Sequence, residues 1–388
     1  MDEMSRLWRD ECTLRPNMTY LNVGTMAPTL KTTHAFVRDL YVEWMGSGPG
    51  AAMGSGEANA YLDMMAWNDR ARHKVAAWME TSPRSVAIIG NATDGINLSL
   101  ASLGWKQGDR ILTTGDEHEA LTYPLQRLVE HYGVIVDVVP FPDDGHEEEF
   151  IKGLRSAMRA QTKLIAFSSV SHRSGLALRV EDILSELDRG EDQWVLVDGS
   201  HAAGTQTPLL VQGIDFYVFP GHKWLFAPVG TGVLWVSPRV LDMTDSLFSG
   251  AAGIDQFGNR LESHDGAWRY EYGTRDWSKA AGLTKVLDFR MQWPEGAIVA
   301  HYHDLTAAFR DGYTASGSTI RVAGSGPVVS IKASDAAQIS QWLWQHERIY
   351  VKADGKAQIL RVSVPPWLTM ERASKVGYQV GLAIAQMG

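Results

Sequence analysis

The stretch that most constrains the fold of this chain is residues 213–236, GIDFYVFPGHKWLFAPVGTGVLWV. Two apolar runs, 216–219 and 233–236, flank a polar tip that carries His222 and Lys223. The pattern predicts a strand, a tip with a glycine-rich turn, and a second strand. A lysine just beyond a strand end lies where open α/β sheets bind ligands, and burial can make its amine a Schiff-base nucleophile. A solvated strand end is the alternative when this stretch is considered alone.

The composition excludes several classes of protein. The chain has 388 residues, 45% hydrophobic and 21% charged, which is enough for a large domain and a smaller one. A net charge of −9 without a basic run argues against nucleic acid or an anionic membrane as a partner. The single cysteine, Cys12, excludes a disulfide framework and a cysteine metal cluster. With no signal-like start and no membrane-length apolar stretch, we expect a cytoplasmic protein without a metal site.

Apolar runs alternate with helical stretches between residues 85 and 236, which predicts a mostly parallel sheet covered by helices on both faces. The expected strands are 86–89, 111–113, 134–139, 164–168, 194–197, 216–219 and 233–236. The expected helices between them are 93–103, 118–131, 147–160 and 180–187. The sequence therefore predicts an α/β fold for this part of the chain.

The pattern changes beyond residue 250, where short strands at 319–322, 327–331 and 359–364 mix with helices. That mixture indicates a smaller α+β domain. We expect a large domain over residues 16–283 and a small domain formed by residues 1–15 and 284–388. The glycine-rich stretch 46–56 does not fit a dinucleotide fingerprint, and a linker or a loop near the mouth of a site is expected there.

Polar side chains stand at other predicted strand ends. Asn91 and Thr93 begin the helix after the first strand, where free N–H groups and a hydroxyl form an anion cradle or a plain helix cap. Asp198 follows strand 194–197, where a carboxylate is costly to bury unless a cation or donors meet it. Lys223 lies 25 residues further on, the length of one crossover connection. We therefore expect Asp198 and Lys223 at the ends of neighbouring strands.

Two further strand-end segments carry histidines. His118 follows strand 111–113, where it caps the next helix or stacks on a flat cofactor. His172 follows strand 164–168, where an ordinary loop is the alternative. A phosphate cradle, a stacking ring, a strand-end aspartate and a strand-end lysine are the parts that pyridoxal phosphate requires, with Asp198 keeping the pyridine nitrogen protonated.

In this order and spacing the motifs resemble class V of the fold-type I pyridoxal-phosphate enzymes. That group contains cysteine desulfurases, isopenicillin-N-epimerase-like proteins and class V aminotransferases. The resemblance runs from about residue 20 to residue 363, and Gly-His-Lys-Trp-Leu at 221–225 carries most of it. It implies a PLP-dependent transferase fold of type I, with a mostly parallel sheet in a large domain and a Schiff base on Lys223.

The resemblance also implies roles by position. Cofactor contacts are implied for Ala92 and Thr93 at the phosphate motif, His118 against the ring face, Asp198 at the ring nitrogen, His172 and His201 near the ring hydroxyl, and His222 at the phosphate. The segment with Thr274 resembles one that reaches the partner subunit's phosphate, which implies a homodimer with composite sites. Arg361 would pair with a substrate carboxylate, and Asn22, in the family's opening segment, would lie on the substrate side.

Two positions depart from the family pattern. Desulfurases have a serine three residues before the lysine, where this chain has Pro220. The phosphate contacts are therefore expected from Thr93, His222 and Thr274. His172 stands where relatives usually place Asn or Ser, and a titratable ring there can change the cofactor's electronics or the substrate pocket.

The predicted enzyme acts on an amino acid or a small acid that bears an amino group, with Lys223 as the general base at Cα. Transamination is the first expectation; epimerisation or racemisation and C–S or β-lyase chemistry are alternatives, because all need the same residues. A regulatory PLP-binding protein is a remote alternative. Desulfuration is not expected, because the segment 349–357, where desulfurases carry a reactive thiol on a loop, contains no cysteine.

Overall fold

The computed structural model describes residues 3–48, 60–142, 146–250, 253–257 and 260–387. Within these ranges the helices are α1 Glu3–Asp10, α2 Lys31–Gly46, α3 Ala60–Trp78, α4 Ala92–Ala101, α5 Glu119–Tyr132, α6 Glu147–Ala157, α7 Val180–Ser185, α8 Pro238–Met243, α9 Trp277–Arg290, α10 Glu295–Ala315, α11 Ala336–Trp342 and α12 Met370–Met387. The strands are β1 Thr19–Tyr20, β2 Val86–Ile89, β3 Arg110–Thr114, β4 Ile135–Val139, β5 Thr162–Ser168, β6 Trp194–Asp198, β7 Phe216–Pro220, β8 Gly232–Val236, β9 Ile254–Phe257, β10 Arg260–Ser263, β11 Val322–Ala323, β12 Val328–Lys332, β13 Ile349–Tyr350, β14 Lys352–Asp354 and β15 Ile359–Ser363.

The central sheet has, among the described residues, seven strands in the order β2-β8-β7-β6-β5-β3-β4. Strands β3 to β7 run parallel to one another, and β8 runs antiparallel to β2 and to β7. Every residue of β6 and of β7 is buried, as expected for strands covered on both faces. The predicted α/β fold with a mostly parallel sheet is confirmed.

Alternate residues of each central strand feed two separate hydrophobic cores. In β6, Val195 and Val197 belong to one core, whereas Trp194 and Leu196 belong to the other. This division follows from the two-residue period of a strand, which turns successive side chains to opposite faces. Burial on both faces leaves the strand ends as the places where polar groups of the sheet can meet a ligand.

A second sheet has the order β11-β12-β15-β14 in the described residues, and all its neighbours are antiparallel. Strand β14 lies within the segment 349–357, where the sequence analysis listed no strand, and its three residues form one edge of this small sheet. The first short strand is β11 at Val322–Ala323 rather than 319–322. The hairpin of β9 and β10 was not predicted from the sequence.

The N-terminal arm packs against the C-terminal part of the chain. The Ser5 hydroxyl donates a hydrogen bond of 2.8 Å to the carbonyl of Leu368, and β1 pairs in parallel with β13. Helix α9 runs across the predicted boundary between residues 283 and 284, and the division into two domains stays a prediction. Most of the glycine-rich stretch 46–56, from residue 49 onward, lies outside the described residues.

Within the described ranges, every helix is too short or too polar to span a membrane.

Candidate active site

A cavity of about 650 Å³ opens at the carboxyl ends of β5, β6 and β7, where Ser168, Asp198 and Pro220 stand. Its volume suits a cofactor together with a small substrate. Nine of the eleven predicted site residues line it: Ala92, Thr93, His118, His172, Asp198, His201, His222, Lys223 and Arg361. The other two, Asn22 and Thr274, lie close by but outside this lining.

The turn after β7 fixes the position of Lys223. The N–H of Gly221 donates to the Thr231 carbonyl at 2.8 Å, and the N–H of Ala227 donates to the Gly221 carbonyl at 3.0 Å. A Cβ atom at position 221 would lie 2.3 Å from Thr231 Oγ1, so the close approach requires glycine. Phe226, fully buried, has a φ of 62°, a strained conformation that surrounding structure must hold. These contacts fix the backbone of the turn on both sides of Lys223.

The pKa of the Lys223 amine is set by burial and by neighbouring charges of both signs. Burial lowers its pKa to about 8; the carboxylate of Asp198 acts to raise it, and the charges of Arg361 and Lys352 act to lower it further. A lysine with such a pKa has a substantial neutral fraction in mildly alkaline solution. That is the state that a nucleophile or a general base requires.

Asp198 ends β6 with its side chain only 4% exposed. One carboxylate oxygen, Oδ1, accepts a hydrogen bond of 2.8 Å from the N–H of Ser200. In the described part of the chain no other donor hydrogen-bonds to this carboxylate, although the side chain lines the cavity. The second oxygen is therefore available to a cationic or N–H group in the cavity, as the cost of burying a carboxylate demands.

His201 and His118 are held as neutral rings with known tautomers. Nδ1 of His201 accepts from the Trp224 indole N–H at 3.3 Å, and Nδ1 of His118 accepts from the N–H of Ala120 at 3.0 Å. Burial, then the charge of Lys223, lowers the pKa of both rings, that of His201 strongly. Each neutral ring therefore carries its proton on Nε2. His118 both caps α5 and lines the cavity, so its capping role is compatible with a place in the site.

His172 touches both a second histidine and Arg361. Its ring centroid lies 5.1 Å from that of His118, edge to face, and its carbonyl accepts a 2.8 Å hydrogen bond from Arg361 Nη1. Burial, followed by the charge of His118, lowers the pKa of the His172 ring to about 3. The ring is therefore neutral at physiological pH, and no described residue hydrogen-bonds to its buried Nδ1.

Arg361 is a buried cation held by neutral groups. Nη2 donates to the hydroxyl of Thr25 at 2.5 Å and to Asn22 Oδ1 at 3.5 Å, which explains why Asn22 stands behind the cavity wall. The side chain is 4% exposed, and burial lowers its pKa to about 10. Its Nε is buried and has no partner among the described residues. This guanidinium is therefore oriented but not neutralised, as a carboxylate-binding arginine must be.

The first turn of α4 borders the same cavity. Asn91 caps the helix, because its Oδ1 accepts from the N–H of Asp94 at 2.9 Å, and Ala92 and Thr93 follow on the cavity side. N–H groups in a first helical turn have no intrahelical partner and favour anions. His222 also lines this cavity, and its buried Nδ1 has no hydrogen-bond partner among the described residues.

Thr274 lines a neighbouring cavity of about 400 Å³. Gly90, Asp94 and Gly230 border both cavities, so the two adjoin at the start of α4. Within one chain Thr274 is therefore not in the wall around Lys223. Its predicted contact with a partner subunit stays a prediction.

The sequence analysis assigned no role to two ionisable groups near the predicted site residues. Lys352 on β14 lines the cavity. Glu117 is buried and accepts hydrogen bonds from Thr114 Oγ1 at 2.5 Å and from Oγ of the cavity residue Ser168 at 2.6 Å, and burial raises its pKa to about 7. Alternation of apolar and polar residues over 349–354 was a signal for a strand that would have placed Lys352.

Comparisons with known proteins show the family to which this chain belongs. The aminotransferase class-V family model matches residues 27–357. A probable cysteine desulfurase of Pseudomonas aeruginosa is 29% identical over 70% of this chain and 69% of that protein. The isopenicillin N epimerase of Streptomyces clavuligerus is 28% identical over 79% of this chain and 82% of that protein.

Solved structures share the fold. The cystine C-S lyase C-DES, in complex with its product cysteine persulfide, matches with a TM-score of 0.84 at 22% identity, over 94% of this chain and 98% of the other. A mutant of C-DES, solved with glycine linked to its PLP cofactor, matches with a TM-score of 0.83 at 21% identity, over 94% of this chain and 97% of the other. The fold is that of the PLP-dependent transferases of type I, and the chain belongs to the class-V aminotransferase family, whose cofactor is pyridoxal phosphate.

Proposed function

We propose that this protein is a pyridoxal-phosphate enzyme that moves the amino group of an α-amino acid by transamination. The observation that carries the proposal is the presence of Lys223, Asp198 and Arg361 in the wall of one cavity. They supply an amine with a lowered pKa, a carboxylate with an open oxygen and a guanidinium that has no ion-pair partner among the described residues.

The residues present fit the cofactor. Asp198 offers an open carboxylate oxygen to a protonated pyridine nitrogen, and His201 offers an Nε2 proton to a ring oxygen. The first turn of α4, at Ala92 and Thr93, and the partnerless Nδ1 of His222 suit a phosphate. We assign these residues, with His118 and His172 beside the ring and Lys223 as the covalent attachment, as the cofactor site.

Bound there, pyridoxal phosphate supplies an electron sink that stabilises negative charge at Cα of an attached amino acid. Arg361 binds the α-carboxylate through its guanidinium and so fixes the orientation of Cα. Lys223 Nζ, once the substrate amine has displaced it from the cofactor, would accept the proton from Cα and return it to a different carbon. Asp198, through its open carboxylate oxygen, would stabilise the proton on the pyridine nitrogen of the bound cofactor.

Transamination is favoured because Lys223 is the cavity base best suited to both tasks. The pKa values of His118, His172, His201 and His222 are all lowered by burial, which makes these rings weaker bases. Lys223, with a pKa of about 8, can both accept and release a proton near neutral pH. One mobile base that removes a proton and returns it elsewhere meets the need of transamination.

Epimerisation is the second candidate. It needs a proton carrier on each side of Cα, and the pair of His118 and His172 puts a second titratable group in the cavity. Isopenicillin N epimerases are also among the relatives that match most of this chain, the Amycolatopsis lactamdurans enzyme over 92% of it at 26% identity.

A panel of amino acids in deuterated water tests the choice. Transamination predicts stoichiometric transfer of nitrogen to an added keto acid, with deuterium in the new amino acid. Epimerisation predicts deuterium at Cα and the opposite enantiomer without any acceptor. Release of ammonia and keto acid without an acceptor would point to lyase chemistry and overturn the proposal. Lys223→Ala is the control that removes the base.

We also propose a homodimer with composite sites. The support is the position of Thr274 in a cavity that adjoins the Lys223 cavity but does not include it. A residue in that position can serve the site of a second subunit.

A further inference from the structure

One cation in the cavity wall, Lys352, has no role in the proposed reaction. Lys352 lines the cavity together with Arg361, and the two are direct partners in the antiparallel register of β14 and β15. Directly opposed residues project from the same face of a sheet, with Cβ atoms about 4.5–5.5 Å apart. The two positive side chains are therefore neighbours in the wall where the substrate must lie.

Among the described residues, no carboxylate forms an ion pair with either cation, although the charge of Asp354 acts on both of them. In the ranges that the structure describes, neither Lys352 nor Arg361 forms an ion pair within 4.0 Å. The groups that hold Arg361 are a carbonyl and neutral side chains, as described above. Like charges opposed across two strands are destabilising, and burial increases the cost. An anion bound between or beside the two cations would offset this destabilisation.

The surroundings of Lys352 are consistent with such a role. Burial lowers its pKa, and the charge of Arg361 lowers it further, whereas Asp354 and Glu119 act in the opposite direction. These two carboxylates act from beside the lysine and do not form a salt bridge with it in the described chain. The ammonium group is half-buried and free to bind.

We infer that the substrate is an α-amino acid with a second anionic group, and that Lys352 binds this group while Arg361 binds the α-carboxylate. The juxtaposition of the two cations carries the inference, which rests on the proposed function of the same site. A short dicarboxylic amino acid of the aspartate and glutamate type has two carboxylates only a few bonds apart. Lys352 is thereby assigned as a specificity-determining residue.

Binding to the enzyme with its cofactor tests the inference. Two matched pairs, aspartate against asparagine and glutamate against glutamine, differ only in the distal charge. Titrations followed by calorimetry and by the cofactor's absorbance give a Kd for each. The parent should bind the better acid about 10- to 100-fold more tightly than its amide, the size of a hydrogen bond between charged groups. O-phosphoserine and cysteate show whether a phosphate or a sulfonate serves as well as a carboxylate.

Variants assign the preference to the lysine. Lys352→Met should bind acid and amide with Kd values within about 3-fold, because only the charge–charge hydrogen bond is lost. Lys352→Gln serves the same purpose if the methionine variant folds poorly. Lys352→Glu should reverse the preference toward ornithine or lysine. Lys332→Met is the matched control, because Lys332 is exposed on β12 of the same sheet and does not line the cavity.

Thermal unfolding gives a readout without any substrate. Removal of the opposed charge should raise the Tm of Lys352→Met above that of the parent, whereas Lys332→Met should not change it. Equal affinity of the parent for acid and amide, or an acid preference that survives in Lys352→Met, would overturn the inference. A parent that carries its cofactor but binds no amino acid at all would instead overturn the proposed function.

Discussion

Asp198 and Lys223 lie at the carboxyl ends of adjacent parallel strands, β6 and β7, and line the same cavity. Burial lowers the pKa of the lysine to about 8, and the aspartate acts against that effect. Removal of the carboxylate therefore changes both the charge of the site and the reactivity of its amine. The two consequences can be separated experimentally.

Substitution of Lys223 should remove covalent attachment of the cofactor. We expect Lys223→Ala to purify without the long-wavelength absorbance of lysine-bound pyridoxal phosphate and to resist fixation of the ring by borohydride. The reason is that the turn built by Gly221 and Phe226 places the amine of Lys223 just beyond the strand end, in the wall of the cavity. Lys332→Ala, on the exposed side of the small sheet, is the control. Normal fixation in Lys223→Ala would refute the assignment.

The rate of cofactor uptake by the apoprotein should depend on pH with a midpoint near the pKa of about 8 for Lys223. Below that pH the amine is protonated, and uptake should fall by roughly tenfold per unit, in proportion to the neutral amine. Because Asp198 acts to raise this pKa, Asp198→Asn should move the midpoint to lower pH. Stopped-flow absorbance measures the rate. A midpoint that moves to higher pH in Asp198→Asn would contradict this electrostatic account.

Asp198→Asn should slow turnover, although it should make the Lys223 amine more available for cofactor uptake. Asp198→Asn is expected to keep the attached cofactor but to lose about 10²-fold or more in kcat, the size found when a preorganised electrostatic group is removed. The amide cannot stabilise a protonated ring nitrogen as the carboxylate does. Steady-state kinetics with the best substrate of the panel measures the effect. Turnover within a few-fold of the parent would count against the assigned role.

Arg361 should be replaceable by lysine only at a high cost in affinity. Arg361→Lys keeps the charge but loses the fork that binds a carboxylate through two N–H groups, so kcat/KM should fall by about 10- to 100-fold. Arg372→Lys is a matched control, because Arg372 donates to Thr19 Oγ1 outside the cavity. Circular dichroism checks the fold of both. An Arg361→Lys enzyme with the parent's kcat/KM would show that the carboxylate binds elsewhere.

Mixed dimers test whether Thr274 serves a partner's site. Lys223→Ala and Thr274→Ala should each be impaired as homodimers. Their heterodimer contains one intact site, so an equal mixture should recover about a quarter of the parent activity. Light scattering gives the mass of the assembly. Monomers with full activity, or a mixture no better than its parts, would refute the composite site.

Features that depend on a local run of residues were predicted well from the sequence, whereas features that depend on residues far apart in the chain were not. Strands β6 and β7 were predicted to within one residue, because strands buried on both faces read as continuous apolar runs. The contact of Arg361 with Asn22 joins residues 339 positions apart, and no local pattern encodes it. The tautomer of His201 likewise depends on an indole supplied by another loop. Lys352 was missed because β14 has only three residues and was not recognised as a strand.

The last prediction is that this protein does not desulfurate cysteine, although desulfurases are among its relatives. That reaction needs a thiolate in the site. Cys12 follows α1, outside the cavity lining, and burial raises the pKa of its thiol, which disfavours the thiolate. The segment 349–357 presents Lys352 to the cavity where a thiol would be needed.

We therefore expect the parent to release no sulfide from cysteine and a reductant at enzyme-like rates, and Cys12→Ser to behave like the parent. Sulfide production that Cys12→Ser abolishes would make the prediction wrong. Sulfide production that survives in Cys12→Ser but stops in Lys223→Ala would have a different meaning. It would indicate cleavage of a C–S bond that uses the lysine and needs no thiol, because the two reactions differ in their need for a thiolate nucleophile.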